Sequence, residues 1–178
     1  MNDRNNICLI GYMGSGKSTV GRLVAKRLKM CFTDTDALIV DRESRSIPDI
    51  FEKEGEAYFR KLEASLAKEL AEDESFRDAV VSTGGGIVLA ADNRKNLRRM
   101  GTVVYLRAEP DTLYERVRND TGRPLLNTED VRGRIRDMLK TRSLLYEDAA
   151  DHIIDTDELD AQGTANAVID IVYMRHDR

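Results

Sequence analysis

Residues 7–23 read ICLIGYMGSGKSTVGRL, and this stretch carries the clearest structural pattern in the chain. It opens on an apolar run, which predicts a buried strand, and it closes on apolar residues at helical spacing. Between them, Gly11 to Ser18 match the pattern G-x-x-x-x-G-K-[ST]. Glycines in such a loop let successive backbone N–H groups point at an anion. We interpret the stretch as a phosphate-binding loop between a strand and a helix, and not as an ordinary glycine-rich turn.

The loop has the side chains that a nucleoside triphosphate needs. Lys17 supplies a flexible cation for the β- and γ-phosphates, and the Ser18 hydroxyl suits the coordination shell of Mg²⁺. The helix that follows turns its N-terminus, with a partial positive charge, toward the phosphates. The predicted nucleotide-binding residues of the loop are Gly14, Ser15, Gly16, Lys17, Ser18 and Thr19.

Composition and charge narrow the class of protein. The chain has 178 residues, the size of one domain, and a net charge of −4, which argues against nucleic acid as a partner. It has no apolar run near the ~18 residues of a membrane span and no apolar leader, so we expect no membrane partner and a cytoplasmic location. Two cysteines and two histidines are too few to predict disulfides or a metal centre built from them.

Strand-like apolar runs alternate with helical patterns along the chain. This alternation predicts an α/β fold with a parallel sheet that is covered by helices on both faces. The predicted strands are 6–10, 30–33, 79–82, 102–106 and 152–154, and the predicted helices are about 17–29, 48–72, 91–99, 111–119, 128–147 and 158–174.

Two stretches read as insertions at one edge of the sheet. The first covers about residues 34–62 and the second is the polar, turn-rich segment 119–128. In a kinase these would be the segment that binds the phosphate acceptor and a mobile lid, which we place at about 115–128.

A carboxylate for the metal has to come from the end of another strand. The strands that end near Ser82 and Leu106 offer none, so Asp34 and Asp36 are the candidates. On an extended backbone these two side chains project to the same side, and one could serve the metal and the other an acceptor hydroxyl. The alternative is that Asp36 caps the helix that follows it.

Glycines and one arginine are further candidates for binding the acceptor. Gly84 to Gly86 follow the third strand and expose backbone to a ligand, unless they form an ordinary loop. Arg142 lies on the apolar stripe of its helix with Ile135 and Leu145, so it has to find a partner or reach water. It either faces a cleft that holds an anion or forms an internal salt bridge.

Three other arginines give weaker signals. Arg60 lies opposite the apolar stripe of its helix, where most arginines are solvated. Arg123 in the lid could swing over the transferring phosphates or could be a surface charge. Arg116 is an ordinary exposed charge unless the nucleotide base stacks on it.

Together these features resemble the shikimate kinase family. The matching segments are IGYMGSGKST, DTDALIVDRESRSIPDIFEKEGEAYFRKLE, STGGG, RPLL and RSLLYEDAA, which come in the family's order over roughly residues 5–155. The phosphate-binding loop alone is common to many enzymes, and the combination of these segments is far more specific. One departure is Leu144, where the family pattern leads us to expect proline.

The resemblance implies a fold, an activity and partners. The fold is a three-layer α/β sandwich of the P-loop NTPase type, with a central five-stranded parallel sheet, as one kinase domain over residues 1–178. The activity is transfer of the γ-phosphate of ATP to the 3-hydroxyl of shikimate, with Mg²⁺ as cofactor, in aromatic amino-acid biosynthesis. ATP and shikimate are the implied partners, and a monomer is the simplest state for a chain of this size.

The resemblance also implies residue roles. Asp34 and Ser18 would serve the metal, and Asp36 would orient or deprotonate the attacking hydroxyl. The remaining roles fall on Lys17 and Arg123 for the phosphates, Arg116 for the adenine, Arg60 and Arg142 for the shikimate carboxylate, and the amides of Gly84, Gly85 and Gly86 for the wall of the acceptor pocket. The alternatives are another small-molecule P-loop kinase, such as a gluconate-type kinase, and a nucleotide-binding regulatory module that has lost catalysis.

Overall fold

A parallel β-sheet forms the centre of the computed structural model, which describes residues 4–118 and 130–174 apart from the side chains of 173 and 174. Its strand order is β2-β3-β1-β4-β5, and each neighbouring pair is parallel. The strands are β1 (Ile7–Ile10), β2 (Cys31–Asp34), β3 (Ala79–Ser82), β4 (Thr102–Arg107) and β5 (His152–Asp155). The predicted α/β fold with a five-stranded parallel sheet is thereby confirmed.

The described residues form eight α-helices around this sheet. They are α1 (Lys17–Leu28), α2 (Thr35–Glu43), α3 (Ile47–Glu54), α4 (Glu56–Glu72), α5 (Ala91–Met100), α6 (Pro110–Val117), α7 (Val131–Ala149) and α8 (Ala161–Met174). Within the described ranges, no helix is long and apolar enough to cross a membrane.

Strand β1 shows why the central strands are apolar throughout. Its residues alternate between the two faces: Cys8 and Ile10 pack into a core with α4, α5 and α7. Ile7 and Leu9 pack into a second core with α1 and α8. Because helices cover both faces, every residue of β1 is buried and the strand lacks an apolar–polar alternation.

The predicted single helix over 48–72 is wrong, because the chain breaks at Gly55. This residue has φ 83° and ψ 168°, a backbone conformation open mainly to glycine, and it ends α3 and precedes α4. At the start of α3, the Ser46 hydroxyl caps the helix by accepting a hydrogen bond from the Asp49 amide at 3.2 Å.

The segment after β2 is helical and not extended. Asp34 is the N-cap of α2, and its Oδ1 accepts hydrogen bonds from the amides of Asp36 at 3.1 Å and Ala37 at 3.3 Å. Both sequence-based interpretations of this pair are therefore wrong in detail. The two carboxylates do not lie on one extended strand, because Asp34 ends β2 and Asp36 belongs to α2. The residue that caps α2 is Asp34 and not Asp36.

The lid segment falls largely outside the part of the chain that the structure describes. Residues 115–118 belong to the end of α6 and the residue after it, whereas Arg123 and the RPLL motif lie outside the described residues.

Candidate active site

A cleft of about 770 Å³ opens at the edge of the sheet where the strands β1, β2 and β3 end. Ligands bind at this edge in open α/β sheets, because the loops that leave the strands diverge there. Every candidate site residue within the described ranges lines the cleft. They are Gly14, Ser15, Gly16, Lys17, Ser18, Thr19, Asp34, Asp36, Arg60, Gly84, Gly85, Gly86, Arg116 and Arg142.

The loop between β1 and α1 is shaped by its glycines. Gly11, Gly14 and Gly16 have φ of 146°, 81° and 92°, conformations that other residues rarely adopt. A side chain at Gly11 would also lie 2.6 Å from the carbonyl oxygen of Leu106. Gly16 is the N-cap of α1 and has no side chain to accept from the first turn, so the N–H groups there are available to an anion.

Lys17 lies against this loop. Its Nζ donates hydrogen bonds to the carbonyl oxygens of Gly11 and Tyr12, both at 2.9 Å, and only 7% of the residue is exposed. The ammonium group is thus held at the mouth of the loop, where phosphate oxygens are the natural ligands.

Three oxygen-bearing side chains meet beside the first turn of α1. The Ser18 hydroxyl donates to Asp34 Oδ2 at 2.8 Å and lies 3.0 Å from the Ser82 hydroxyl. Because Asp34 Oδ1 caps α2, the carboxylate is held with Oδ2 toward Ser18. Hard oxygen donors of this kind fit a magnesium ion that takes its other ligands from phosphate and water.

Among the described residues, no group of three or more His, Cys, Asp or Glu side chains could hold a metal by itself. Sequence reasoning missed Ser82. No local pattern marks this residue, because its approach to Asp34 follows from the pairing of Asp34 with Ser82 in the register of β2 and β3.

Two carboxylates converge on Gly84 on the other side of the cleft. A Cβ atom at Gly84 would lie 2.6 Å from Glu63 Oε1 and 2.7 Å from Asp36 Oδ1. None of the glycines at positions 84–86 has a positive φ, so close contact with side chains, and not backbone conformation, is what requires glycine at Gly84. The Gly84 amide itself donates to the Thr35 hydroxyl at 3.2 Å.

Arg60 is tied into this group and is not a solvated surface charge. Its guanidinium contacts Glu63 at 2.5 Å and Glu56 at 2.9 Å, and 23% of the side chain is exposed. The guanidinium also lies over Gly86, where any Cβ would overlap it. The weak sequence signal at this position reflected its place opposite the apolar stripe, whereas the tertiary structure folds the loop of glycines over it.

Glu63 is the acceptor-side residue that sequence reasoning missed. It is 1% exposed, and no described residue donates a hydrogen bond to its Oε1. Burial raises the pKa of this carboxyl and the nearby Asp36 raises it further, whereas Arg60 and Arg142 lower it. The available signal was its spacing of three residues from Arg60 on one helix, which brings both side chains to the same face.

Arg142 is buried at the cleft, with 7% of the residue exposed. Its Nη1 donates to the Gly85 carbonyl oxygen at 3.3 Å, and the Tyr146 hydroxyl donates to the same oxygen at 2.5 Å. No described carboxylate lies within ion-pair distance of Arg142. The structure therefore does not support the internal salt bridge and favours the cleft that holds an anion.

Arg116 lies at the opposite end of the cleft, on α6. Its guanidinium donates to the Thr156 hydroxyl at 3.1 Å and to the Thr156 carbonyl oxygen at 2.7 Å. These bonds join α6 to the loop after β5, where Leu159 and Asp160 line the cleft. The side chain is thus held in place although it is exposed.

Comparison with known proteins agrees with this geometry. A family model described as "Shikimate kinase" matches residues 13–173. The chain is 44% identical over 173 residues to a shikimate kinase of Histophilus somni (strain 2336), with 97% of each chain covered. It is 45% identical over 164 residues to a shikimate kinase of Burkholderia lata, with 92% of this chain and 88% of the relative covered.

Solved structures of shikimate kinases have a similar fold. The shikimate kinase from Acinetobacter baumannii in complex with shikimate superposes with a TM-score of 0.91 at 38% identity, covering 98% of this chain and 96% of that one. The shikimate kinase from Aquifex aeolicus superposes with a TM-score of 0.80 at 35% identity, covering 97% of this chain and 98% of that one.

Proposed function

The chain belongs to the shikimate kinase family, and we propose that it transfers the γ-phosphate of ATP to the 3-hydroxyl of shikimate. The products are ADP and shikimate 3-phosphate, and the reaction is a step toward aromatic amino acids. One observation carries the proposal: a single cleft holds a phosphate-binding loop at one side and two buried or half-buried arginines beside a carboxylate at the other.

The loop side of the cleft holds the nucleotide. The N–H groups of the loop and of the first turn of α1 bind the phosphates, and the Lys17 ammonium moves from the loop carbonyls to the β- and γ-phosphates. Arg123, which lies outside the described residues, would neutralise charge on the same phosphates. Arg116, held by Thr156, lies beside the adenine.

A divalent metal belongs to the reaction of an ATP-using kinase, and the oxygen donors present fit Mg²⁺. Ser18 would hold it directly and Asp34 through water, with Ser82 beside them. When bound, Mg²⁺ would supply positive charge that neutralises the charge developing on the transferring phosphates. The capping bonds of Asp34 keep its carboxylate oriented before the metal arrives.

The glycine-loop side of the cleft holds shikimate. Arg60 and Arg142 bind its carboxylate, since guanidinium groups suit the geometry of a carboxylate. Asp36 accepts a hydrogen bond from the attacking hydroxyl and aligns its oxygen with the γ-phosphorus. The bond from the γ-phosphorus to the bridging oxygen of ATP then breaks as the new bond to the 3-oxygen forms, ADP leaves, and the hydroxyl proton departs along its hydrogen bond to Asp36.

The remaining expectations concern the state of the protein. We propose that residues 1–178 act as one kinase domain, that the enzyme is a monomer and that it is cytoplasmic. We expect neither nucleic acid nor a membrane as a partner, and the net charge of −4 argues against the first of these.

The test is ADP release by the purified protein with Mg·ATP and, in parallel, shikimate, gluconate, AMP or no acceptor. Release that depends on shikimate supports the proposal. Release that depends on another acceptor keeps the nucleotide half of the site and overturns the roles of Asp36, Arg60 and Arg142. ATP binding without release would indicate a regulatory module.

A further inference from the structure

We propose that Thr35 is a positioning residue of the acceptor site, although it contributes no charge to it. Its hydroxyl accepts a hydrogen bond from the Gly84 amide at 3.2 Å, 49 positions away in the chain. This bond sets the position of the loop 83–86 against Asp34 and Asp36. The kinetic part of this inference rests on the function proposed above.

The Thr35–Gly84 hydrogen bond lies just beyond the last paired residues of β2 and β3. The ladder between β2 and β3 ends with the pair Asp34 and Ser82. Beyond it one segment turns into α2 and the other crosses toward β1, where the Thr83 hydroxyl donates to the Leu9 carbonyl oxygen at 2.9 Å. The Thr35–Gly84 bond continues the link between these segments past the last strand pair.

The loop that Thr35 holds touches each side chain assigned to the acceptor. Gly84 backs the Asp36 carboxylate, and Gly86 backs the Arg60 guanidinium. Between them, the Gly85 carbonyl oxygen accepts from Arg142. A small shift at Gly84 therefore moves Asp36, Arg60 and Arg142 relative to one another, and phosphoryl transfer depends steeply on such alignment.

Burial makes the hydroxyl necessary. Thr35 is 2% exposed and Gly84 is buried, so water does not readily replace a lost partner of the Gly84 amide. An unpaired buried N–H is costly, and the loop would move to pair it. Serine has the same hydroxyl acceptor as threonine. Valine has nearly the shape of threonine but no hydroxyl. Neither substitution changes the charge of the site.

The experiment compares the full-length wild type with Thr35→Val and Thr35→Ser. We expect kcat/KM for shikimate to fall about tenfold or more in Thr35→Val and to stay within about threefold of wild type in Thr35→Ser. The dissociation constant of Mg·ATP should change by less than about twofold in both, since the Thr35 hydroxyl bonds to the Gly84 amide and not to a group of the phosphate-binding loop. Hydrogen exchange of the Gly84 amide, followed by NMR, should be slow in the wild type and Thr35→Ser and fast in Thr35→Val.

Each other outcome overturns the inference. Thr35→Ser keeps the hydroxyl and lacks the methyl group, so a loss in it as large as the loss in Thr35→Val would show that the hydroxyl acceptor does not account for the effect. Unchanged kinetics in Thr35→Val would remove the positioning role. If Thr35→Val does not fold, rapid exchange at Gly84 in the wild type or in Thr35→Ser still contradicts the bond. If the wild type shows no shikimate-dependent turnover, the proposed function is refuted. The hydrogen-exchange rate of the Gly84 amide then tests the Thr35–Gly84 hydrogen bond independently of the function.

Discussion

The two halves of the cleft are built by different means. The phosphate half comes from one continuous stretch, and its shape depends on backbone: glycines with positive φ at Gly14 and Gly16 and the open first turn of α1. The acceptor half comes from α2, α4, α7 and the loop after β3, and its shape depends on charged side chains packed against glycines. A backbone-built site is formed locally, whereas a side-chain-built site exists only once distant segments are packed together.

This difference has an energetic counterpart. The phosphate half presents N–H groups of a helix end that water solvates readily, and the buried Lys17 ammonium there is bonded to loop carbonyls. The acceptor half holds Glu63 and Arg142 almost fully buried, with Arg60 as the ion-pair partner of Glu63. Burying charges is costly unless they are paired, so the acceptor half should be the more sensitive to substitution and to pH.

Substitution of Asp36 should have the largest effect, and it should affect the acceptor half of the cleft without affecting the phosphate half. Asp36→Asn removes the carboxylate that accepts from the attacking hydroxyl, and we expect kcat to fall by about 10²–10⁴-fold with Mg·ATP affinity nearly unchanged. The measurement is steady-state kinetics together with nucleotide titration. Asp41→Asn, an exposed carboxylate on the same helix, is the control and should retain activity. Near-normal turnover in Asp36→Asn would refute its role.

Alanine substitutions of glycine test the two building principles directly. Gly16→Ala places a side chain at φ 92°, at a cost of about 1–2 kcal/mol, and should weaken Mg·ATP binding before shikimate binding. Gly84→Ala places its Cβ within 2.7 Å of two carboxylate oxygens and should weaken shikimate binding about tenfold or more with Mg·ATP binding kept. Titrations of both variants with Mg·ATP and with shikimate measure these affinities. Parallel losses of both ligands in either variant would mean that the halves are not independent.

Arg142→Ala tests the contribution of one buried arginine to the acceptor half of the cleft. It removes the arginine proposed to bind the substrate carboxylate, and shikimate binding should weaken by about 1.5–3 kcal/mol, the scale of a hydrogen bond to a charged group. Arg136→Ala on the same helix is the matched control, since 56% of that side chain is exposed. Calorimetric titration with shikimate measures both. An unchanged affinity in Arg142→Ala would leave Arg142 with a purely structural role.

The smallest expected effect concerns stability and pH. Burial raises the pKa of Glu63 above the ordinary value of a glutamate carboxyl, so the folded state binds this proton more tightly than the unfolded state does. Its favourable contribution is therefore present below about pH 4.5 and is lost as the pH rises through the folded pKa. The free energy of unfolding of the wild type relative to Glu63→Gln should accordingly fall as the pH increases across this window.

Glu69 offers a control with the opposite sign. A hydrogen bond from Arg42 lowers the pKa of this exposed carboxyl, so its contribution is present above about pH 4.5 and is lost as the pH falls. Denaturant unfolding at several pH values should give slopes of opposite sign for Glu63→Gln and Glu69→Gln, each relative to the wild type. Slopes of the same sign would contradict the assignment of burial as the dominant influence on Glu63.

The sequence was most informative where contacts are local. The phosphate-binding loop, the strand before it and the helix after it were predicted almost to the residue, because their backbone preferences are encoded within a few positions. Asp34 and Asp36 were recognised as candidates, but their backbone was not, since the short helix α2 has a weak apolar pattern. Gly55 was passed over because an apolar stripe runs through it, whereas its positive φ divides the helix in two.

Sequence alone therefore determined the α/β fold, the phosphate half of the cleft and the identity of the charged candidates, because periodicity and a contiguous motif carry that information. Only the tertiary structure decided that Glu63 is buried against Asp36, that Ser82 meets Ser18, and that Thr35 holds Gly84. These contacts join residues from separate elements. They depend on the register of the sheet and on how helices pack against it, and a local pattern does not record either.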